Sequence, residues 1–330
     1  MKKQKILQIK NLKTELYTSK GTILPVNDIS FDVYKGKTIG LVGESGSGKT
    51  MTALSILKLI PNQSKIINGQ VLFEEKNILE LEEQELRTIR GNDISIIFQE
   101  PMTSLNPVFT IGNQIKEVFL THTKMNLNEA KERSIEMLKQ VGISEPKKKM
   151  QDYPHNLSGG MRQRVMIAMA LACKPKVLIA DEPTTALDVT IQAQILDLMK
   201  QLREEFNMGI IIITHDMGVV AEVCDEVAVM YCGKIIEKTD NATLFRNPKH
   251  HYTKGLLDSI PNLNPNIKIK NRRLPTIKGI VPALFNLPNG CNFQKRCPKV
   301  DEECRGKNGE PDLFKINKNQ VAACFHPFGK

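Results

Sequence analysis

The sequence predicts an α/β fold with a mainly parallel sheet core, an antiparallel β subdomain, a helical insertion and a small irregular C-terminal domain. Three observations predict it. First, Gly43-Glu44-Ser45-Gly46-Ser47-Gly48-Lys49-Thr50 matches the P-loop pattern GxxxxGK[ST] at every position. It lies between a β-rich run, Thr38 to Val42, and a stretch with apolar residues at helical spacing, Met51 to Ile60, that stops at Pro61. Second, two apolar runs, Lys176 to Asp181 and Ile210 to Thr214, flank a helical stretch from Ile191 to Phe206. That alternation builds parallel sheet. Third, after Lys238 prolines interrupt the periodicity, and four of the 7 cysteines crowd near the end of the chain.

Composition sets the outer limits. At 330 residues the chain is long enough for two domains with ample core. Charged residues at 25% and hydrophobic residues at 41% are ordinary for a globular protein and exclude a disordered one. No apolar run approaches the ~18 residues that a membrane helix needs. The basic start, Met1 to Lys5, leads into alternating Ile6 to Lys10 without a signal-peptide core, so a cytoplasmic protein is expected. The basic excess, 46 minus 36 giving +10, is compatible with nucleic acid, an anionic membrane surface or a solvated basic face. With no Trp and only 5% aromatic residues there is no base-stacking stripe, so nucleic acid is not expected as a partner.

Residues 6 to 42 read as a succession of short strands, with a turn at Lys35-Gly36-Lys37 before the strand that feeds the P-loop. Tyr17 in this region either stacks on an adenine face or is an ordinary strand aromatic. In the P-loop, Gly43, Ser45, Gly46 and Gly48 let backbone N–H groups turn onto phosphate oxygens while the helix N-terminus adds its dipole. Lys49 supplies a mobile positive charge, and Thr50 is placed to ligate magnesium.

Beyond the P-loop helix, Gln70 to Phe73 and Ile94 to Phe98 read as strands, the second ending at Gln99. An amide at the carboxyl end of a strand reaches magnesium or an attacking water. From Ile111 to Gly142 the pattern is helical, with Asn126 and Glu129 spaced as a capping box and Gly142 as C-cap. Lys147-Lys148-Lys149 reads as a solvated charge run. Leu157-Ser158-Gly159-Gly160-Met161 then opens another helix and forms a second anion-binding terminus, which one nucleotide does not need from one subunit. It is therefore expected to face the nucleotide of a partner.

The strand ending Asp181-Glu182-Pro183 delivers two carboxylates with different tasks. Asp181 fits a magnesium ligand, and Glu182 fits the group that orients and deprotonates water. Ala186-Leu187-Asp188 continues into the next helix, and His215 ends the buried run from Ile210, where ligands bind in such sheets.

Together, residues 43 to 216 resemble the ABC-type ATPase cassette: Walker A at Gly43 to Thr50, the Q-loop at Gln99, the signature at Leu157 to Met161, Walker B at Val177 to Glu182, the D-loop at Ala186 to Asp188 and the switch histidine at His215. The resemblance implies a P-loop NTPase cassette over residues 1 to 240, with a helical subdomain at about 100 to 157, and a C-terminal appendage over 241 to 330. It also implies a head-to-tail dimer that sandwiches two ATP and Mg2+ between one Walker A and the opposing signature. Lys49, Thr50, Gln99, Asp181, Glu182 and His215 would then serve one ATP, while Ser158 and Gly160 serve the partner's, and Gly159 and Asp188 are also expected to bind nucleotide.

Phe98 to Pro107, Tyr252 to Leu257 and the cysteine-rich tail look like the ATP-binding subunits of oligopeptide and dipeptide importers. His251 and Lys278 stand where prolines are expected in that pattern. The resemblance implies two membrane permease subunits, a second cassette subunit giving a heterodimer, an extracytoplasmic peptide-binding protein, and a place on the cytoplasmic face of the membrane. An ATPase for nickel or another small solute is the nearest alternative, and a soluble ABC ATPase acting on nucleic acid or ribosomes is the rival from another class. No long coiled-coil insertion or second cassette favours that rival.

Cys173, Cys224 and Cys232 lie in apolar surroundings and read as small core residues. Cys291, Cys297, Cys304 and Cys324, with 5, 6 and 19 residues between them, satisfy either zinc or a [4Fe-4S] centre. The absence of a CxxC pair leans toward iron-sulfur, and the resemblance implies such a cluster in this tail. Free thiols, or a set in which His326 substitutes for one thiol, remain open.

Overall fold

The computed structural model describes residues 4–185, 187–260, 276–307 and 309–329. They fall into two compact units, one from Met1–Leu7, Asp32–Thr38 and Leu72–Ile213, the other from Gln8–Phe31, Ile39–Val71 and Thr214–Lys330.

The chain opens with two long antiparallel strands, β1 (Lys5–Thr18) and β2 (Gly21–Tyr34), rather than the expected run of short ones. The apparent breaks are kinks that continuous strands absorb. Asn11 and Asp28 have left-handed φ of 48° and 60°, and the Asn11 amide donates to the Asp28 carboxylate at 2.9 Å. The strand β3 (Thr38–Val42) is buried along its whole length. It feeds α1 (Lys49–Ile56), which Leu57 caps and Lys58 turns away at φ 51°, short of the expected Ile60. Next come β4 (Ser64–Phe73), β5 (Lys76–Asn77), α2 (Glu83–Ile89) and β6 (Ile94–Ile97).

The helical insertion consists of α3 (Pro101–Ser104), α4 (Ile111–His122), α5 (Leu127–Gln140) and α6 (Pro146–Lys149). The capping box of α5 forms as the sequence requires. Asn126 Oδ1 accepts from the N–H groups of Asn128 and Glu129 at 3.0 and 3.1 Å, and Glu129 Oε2 accepts from Asn126 N–H at 2.8 Å. Ala130, Ser134 and Leu138 are its buried face, and Gly142 follows at φ 76°. The lysine run forms the single turn of α6.

Then follow α7 (Gly159–Leu171), β7 (Val177–Asp181), α8 (Val189–Phe206) and β8 (Gly209–Thr214). In the first unit β6, β7 and β8 pair in parallel, in register Ile94↔Val177 and Val177↔Gly209, and every residue of β7 and β8 is buried. Burial on both faces explains their near-continuous apolar runs.

The remaining elements are α9 (Met217–Val223), β9 (Glu226–Tyr231), β10 (Lys234–Asp240), α10 (Asn241–Arg246), α11 (His251–Asp258), β11 (Phe314–Lys315) and β12 (Val321–Ala322). In the second unit β3 pairs in parallel with β9, and β9 turns through Cys232 and Gly233 into antiparallel β10. The hairpin β11–β12 adds its β12 strand to β10. The tail thus extends the sheet of the P-loop strand. Glu237 reinforces it. Its fully buried carboxylate accepts from Lys249 N–H and His250 N–H at 2.8 Å and from Gln320 Nε2 at 2.9 Å.

Cys224 and Cys232 are buried as expected, whereas Cys173 is only half-buried. Ala186 and the prolines at 261, 265 and 275 lie outside the described residues. Among the described residues, no helix is long and apolar enough to cross a membrane.

Candidate active site

In the second unit, buried β3 holds the start of the P-loop rigid and the loop closes on itself. Ser47 N–H donates to Glu44 O at 3.2 Å, and Gly233 N–H from the β9–β10 turn donates to Ser47 O at 2.9 Å. Gly48 is the left-handed N-cap of α1, at φ 104°. A Cβ there would lie 1.9 Å from Pro25 O, so only glycine permits this approach of the loop to β2. The Lys49 ammonium is buried and donates to Gly43 O at 2.7 Å, Glu44 O at 3.0 Å and Ser47 Oγ at 3.4 Å. Ser45, Gly46 and Thr50 are exposed at the mouth of the loop. The arrangement places one buried positive charge, held by two loop carbonyls and a hydroxyl, at a helix N-terminus, a setting suited to phosphate.

Two further predicted residues belong to this unit. Tyr17 is 47% exposed near the end of β1, with its hydroxyl donating to Glu15 Oε2 at 3.0 Å. That hydrogen bond raises the phenol above its ordinary range. His215 is exposed directly after Thr214, where Asp216 caps α9 by accepting from Gly218 N–H at 2.7 Å.

The first unit brings two of the catalytic candidates, Gln99 and Glu182, together at the carboxyl end of β7. Asp181 is its last residue and 3% exposed. Glu182 then leaves the strand in a left-handed conformation, φ 45°, with its N–H donating to Ile213 O at 2.8 Å. Glu182 Oε2 accepts from Gln99 Nε2 and from Thr185 Oγ1, both at 2.9 Å. The structure therefore joins Gln99 and Glu182 in one hydrogen-bonded group, and Thr185 is a member the sequence did not reveal. A threonine three residues after an acid is too common a pattern to stand out.

Ser158 N-caps α7, its Oγ accepting from Met161 N–H at 3.3 Å. Asp188 N-caps α8, its carboxylate accepting from Ile191 N–H at 2.9 Å. The two starts are packed together: a Cβ on Gly160 would lie 2.9 Å from Ile191 Cγ2, and one on Gly159 would lie 3.8 Å from Leu187 Cδ2. The signature glycines thus admit the start of α8 beside that of α7.

Taken singly, the Asp181 carboxylate and the Gln99 amide oxygen of the first unit and the Thr50 hydroxyl of the second are hard oxygen ligands of the kind Mg2+ takes.

In the tail, Cys291, Cys297, Cys304 and Cys324 line one small pocket together with His250 and His326. Burial pushes the Cys291 thiol up to about 11 and the Cys324 thiol up to about 12, and the neighbouring thiols of the set add to both. Cys297 and Cys304 are raised by the same desolvation. Asp301, Cys304 and His326 also place ligand atoms within 4.8 Å of one another, with His326 Nε2 2.7 Å from Asp301 Oδ2. Asp301 was not singled out in the sequence, where one more acid in a charged tail carries no signal.

Comparison with known proteins gives the same picture. A family model described as ABC transporter matches residues 26–185, and one described as Oligopeptide/dipeptide transporter, C-terminal region, matches residues 236–304. The chain is 50% identical to the oligopeptide transport ATP-binding protein AppD of Bacillus subtilis, over 97% of this chain and 96% of that protein. It is 48% identical to the oligopeptide transport ATP-binding protein OppD of Salmonella typhimurium, over 98% and 94%. Among solved structures, the ATP-binding cassette MJ0796 in a dimeric post-hydrolysis state with ADP and Pi superposes with TM-score 0.65 at 27% identity, covering 72% of this chain and 99% of that one. With its motifs in order and relatives matched along nearly its whole length, this chain belongs to the ABC transporter family, as an ATP-hydrolysing subunit of the oligopeptide/dipeptide type.

Proposed function

We propose that the chain powers the import of oligopeptides or dipeptides, working on the cytoplasmic face of the membrane with two permease subunits, a second and different cassette subunit, and an extracytoplasmic binding protein. The observation that carries this reading is that likeness to peptide-transport ATP-binding proteins extends through both the cassette and the tail, at about half identity over 97% of the chain. In this reading the P-loop amides and Lys49 hold the phosphates, Thr50, Asp181 and Gln99 face the magnesium ion, and Tyr17 offers its exposed face to the adenine. Glu182, oriented by Gln99 and Thr185, accepts a proton from the attacking water. His215 supports the γ-phosphate, and Ser158, Gly159, Gly160 and Asp188 serve the nucleotide of the second subunit.

Replacing Glu182 with glutamine keeps the shape and the Gln99 contact but removes the base. In the assembled transporter, MgATP binding should be retained and turnover should fall by at least about a hundredfold. Turnover equal to wild type would reject the assigned role.

We further propose that Cys291, Cys297, Cys304 and Cys324 hold a [4Fe-4S] centre, with zinc as the alternative. Four thiols around one pocket form a soft donor set that suits either. Anaerobically purified protein should be brown with broad visible absorption; a colourless protein with stoichiometric zinc would refute the iron-sulfur assignment.

A further inference from the structure

The tail reaches the phosphate cradle at Glu44, the second position of the P-loop. Its carboxylate is held by both arms of the Arg296 guanidinium, Nη1 donating to Oε2 at 2.6 Å and Nη2 to Oε1 at 2.9 Å. Its backbone N–H donates to Tyr252 Oη at 2.8 Å. Its carbonyl receives the Lys49 ammonium at 3.0 Å.

The two tail residues are themselves fixed. The Arg296 side chain is 3% exposed, and its Nε donates to Lys278 O at 3.1 Å. The guanidinium stacks 5.9 Å from the ring centres of both Tyr231 and Phe293. Tyr252 is fully buried against the same two rings, at 4.7 and 5.4 Å. A bidentate pair on a planar fork fixes orientation as well as distance. Every hydrogen-bonding group of Glu44 is thus engaged, the carboxylate and the N–H by tail residues more than two hundred positions away, the carbonyl by Lys49 and Ser47 N–H.

We propose that Arg296 and Tyr252 are positioning residues for nucleotide binding, which couple the cysteine-bearing tail to the phosphate cradle by fixing the Glu44 peptide. Arg296 also neutralises a carboxylate that stands beside the phosphate groups. Cys297 is the next residue after Arg296, so whatever occupies the thiol pocket acts on the same loop that grips Glu44, and the coupling is reciprocal.

The inference rests on the reading that the P-loop holds ATP. Its test is equilibrium binding of MgATP to the full chain, wild type against Arg296→Ala, Glu44→Ala, the double variant and Tyr252→Phe, with thermal unfolding measured on each. Arg296→Ala should weaken binding by about tenfold or more, because it leaves a charged carboxylate uncompensated near phosphate. Removing that carboxylate as well should return the affinity to that of Glu44→Ala alone, a rescue that a merely structural role does not produce. Tyr252→Phe, which deletes one hydroxyl, should cost about threefold, and it carries the test if Arg296→Ala does not fold. Affinities of Arg296→Ala and Tyr252→Phe equal to wild type, or a double variant whose loss is the product of the single losses, would overturn the coupling alone. A wild-type chain that binds no MgATP would overturn the nucleotide reading and the coupling with it.

Discussion

Alanine at Gly48 should abolish MgATP binding, whereas alanine at Gly46 should only weaken it, although the two positions lie two residues apart in the same loop. Both glycines have left-handed backbone, with φ of 104° at Gly48 and 80° at Gly46. That conformation costs an L-residue roughly 1–2 kcal/mol at either place. Space separates them. A Cβ on Gly48 would meet Pro25 O at 1.9 Å and Met230 Cε at 3.3 Å, while one on Gly46 meets nothing within 4 Å. Relieving the contact at Gly48 means moving the loop or the β2 backbone by about 1 Å, a shift large enough to misalign the amides around a phosphate. Gly46→Ala keeps its N–H and pays only the conformational term, so its dissociation constant should rise by about tenfold or somewhat more. The assay is equilibrium titration with MgATP, with thermal unfolding of the same preparations. Gly48→Ala binding within about threefold of wild type, or Gly46→Ala losing as much as Gly48→Ala, would refute the steric argument.

Two further outcomes follow from groups remote from the phosphates. His250 is 2% exposed, its Nδ1 accepts from Tyr252 N–H at 3.0 Å, and burial holds its pKa down to about 3 from the ordinary 6.5. The unfolded chain therefore takes up a proton that the folded chain refuses, and stability is lost as pH falls through that interval, with a slope approaching ~1.4 kcal/mol per pH unit. His250→Asn retains a capping acceptor and should flatten the slope in urea unfolding between pH 6 and 4; curves parallel to wild type would exclude His250 as its source. Asn126→Ala removes the acceptor for two N–H groups of α5 and should cost about 1 kcal/mol in the denaturation midpoint without changing nucleotide affinity.

The legibility of this protein in its sequence tracks how local each feature is. The P-loop, the start of α7 and the capping box of α5 are set by a few consecutive residues, and each was readable because turn, cap and helix dipole act over a single turn of chain. The parallel strands β7 and β8 were readable for another reason: burial on both faces leaves a continuous apolar run. The long strands β1 and β2 were not, because Asn11 and Asp28 look like breaks until their side chains are seen to bond across the pair. Arg296 and Glu44 were unreadable for the same cause at greater range. They stand 252 positions apart, and neither residue type is unusual where it occurs. In the tail, the four cysteines and His326 stand out as candidate ligands in the sequence, whereas Asp301 draws notice only where the fold sets it beside His326 and Cys304.

Glu237 has a consequence for how such a protein can be shortened or recombined. Its one buried carboxylate, on β10, accepts from two N–H groups at the start of α11 and from Gln320 late in the tail, a clasp that these segments must reach at once. A chain ended after Asp240 would leave that clasp empty in the interior and would also lose the tyrosine that holds the P-loop amide. Exchanging tails between relatives should therefore succeed only when the exchange begins before β10, so that clasp and partners travel together.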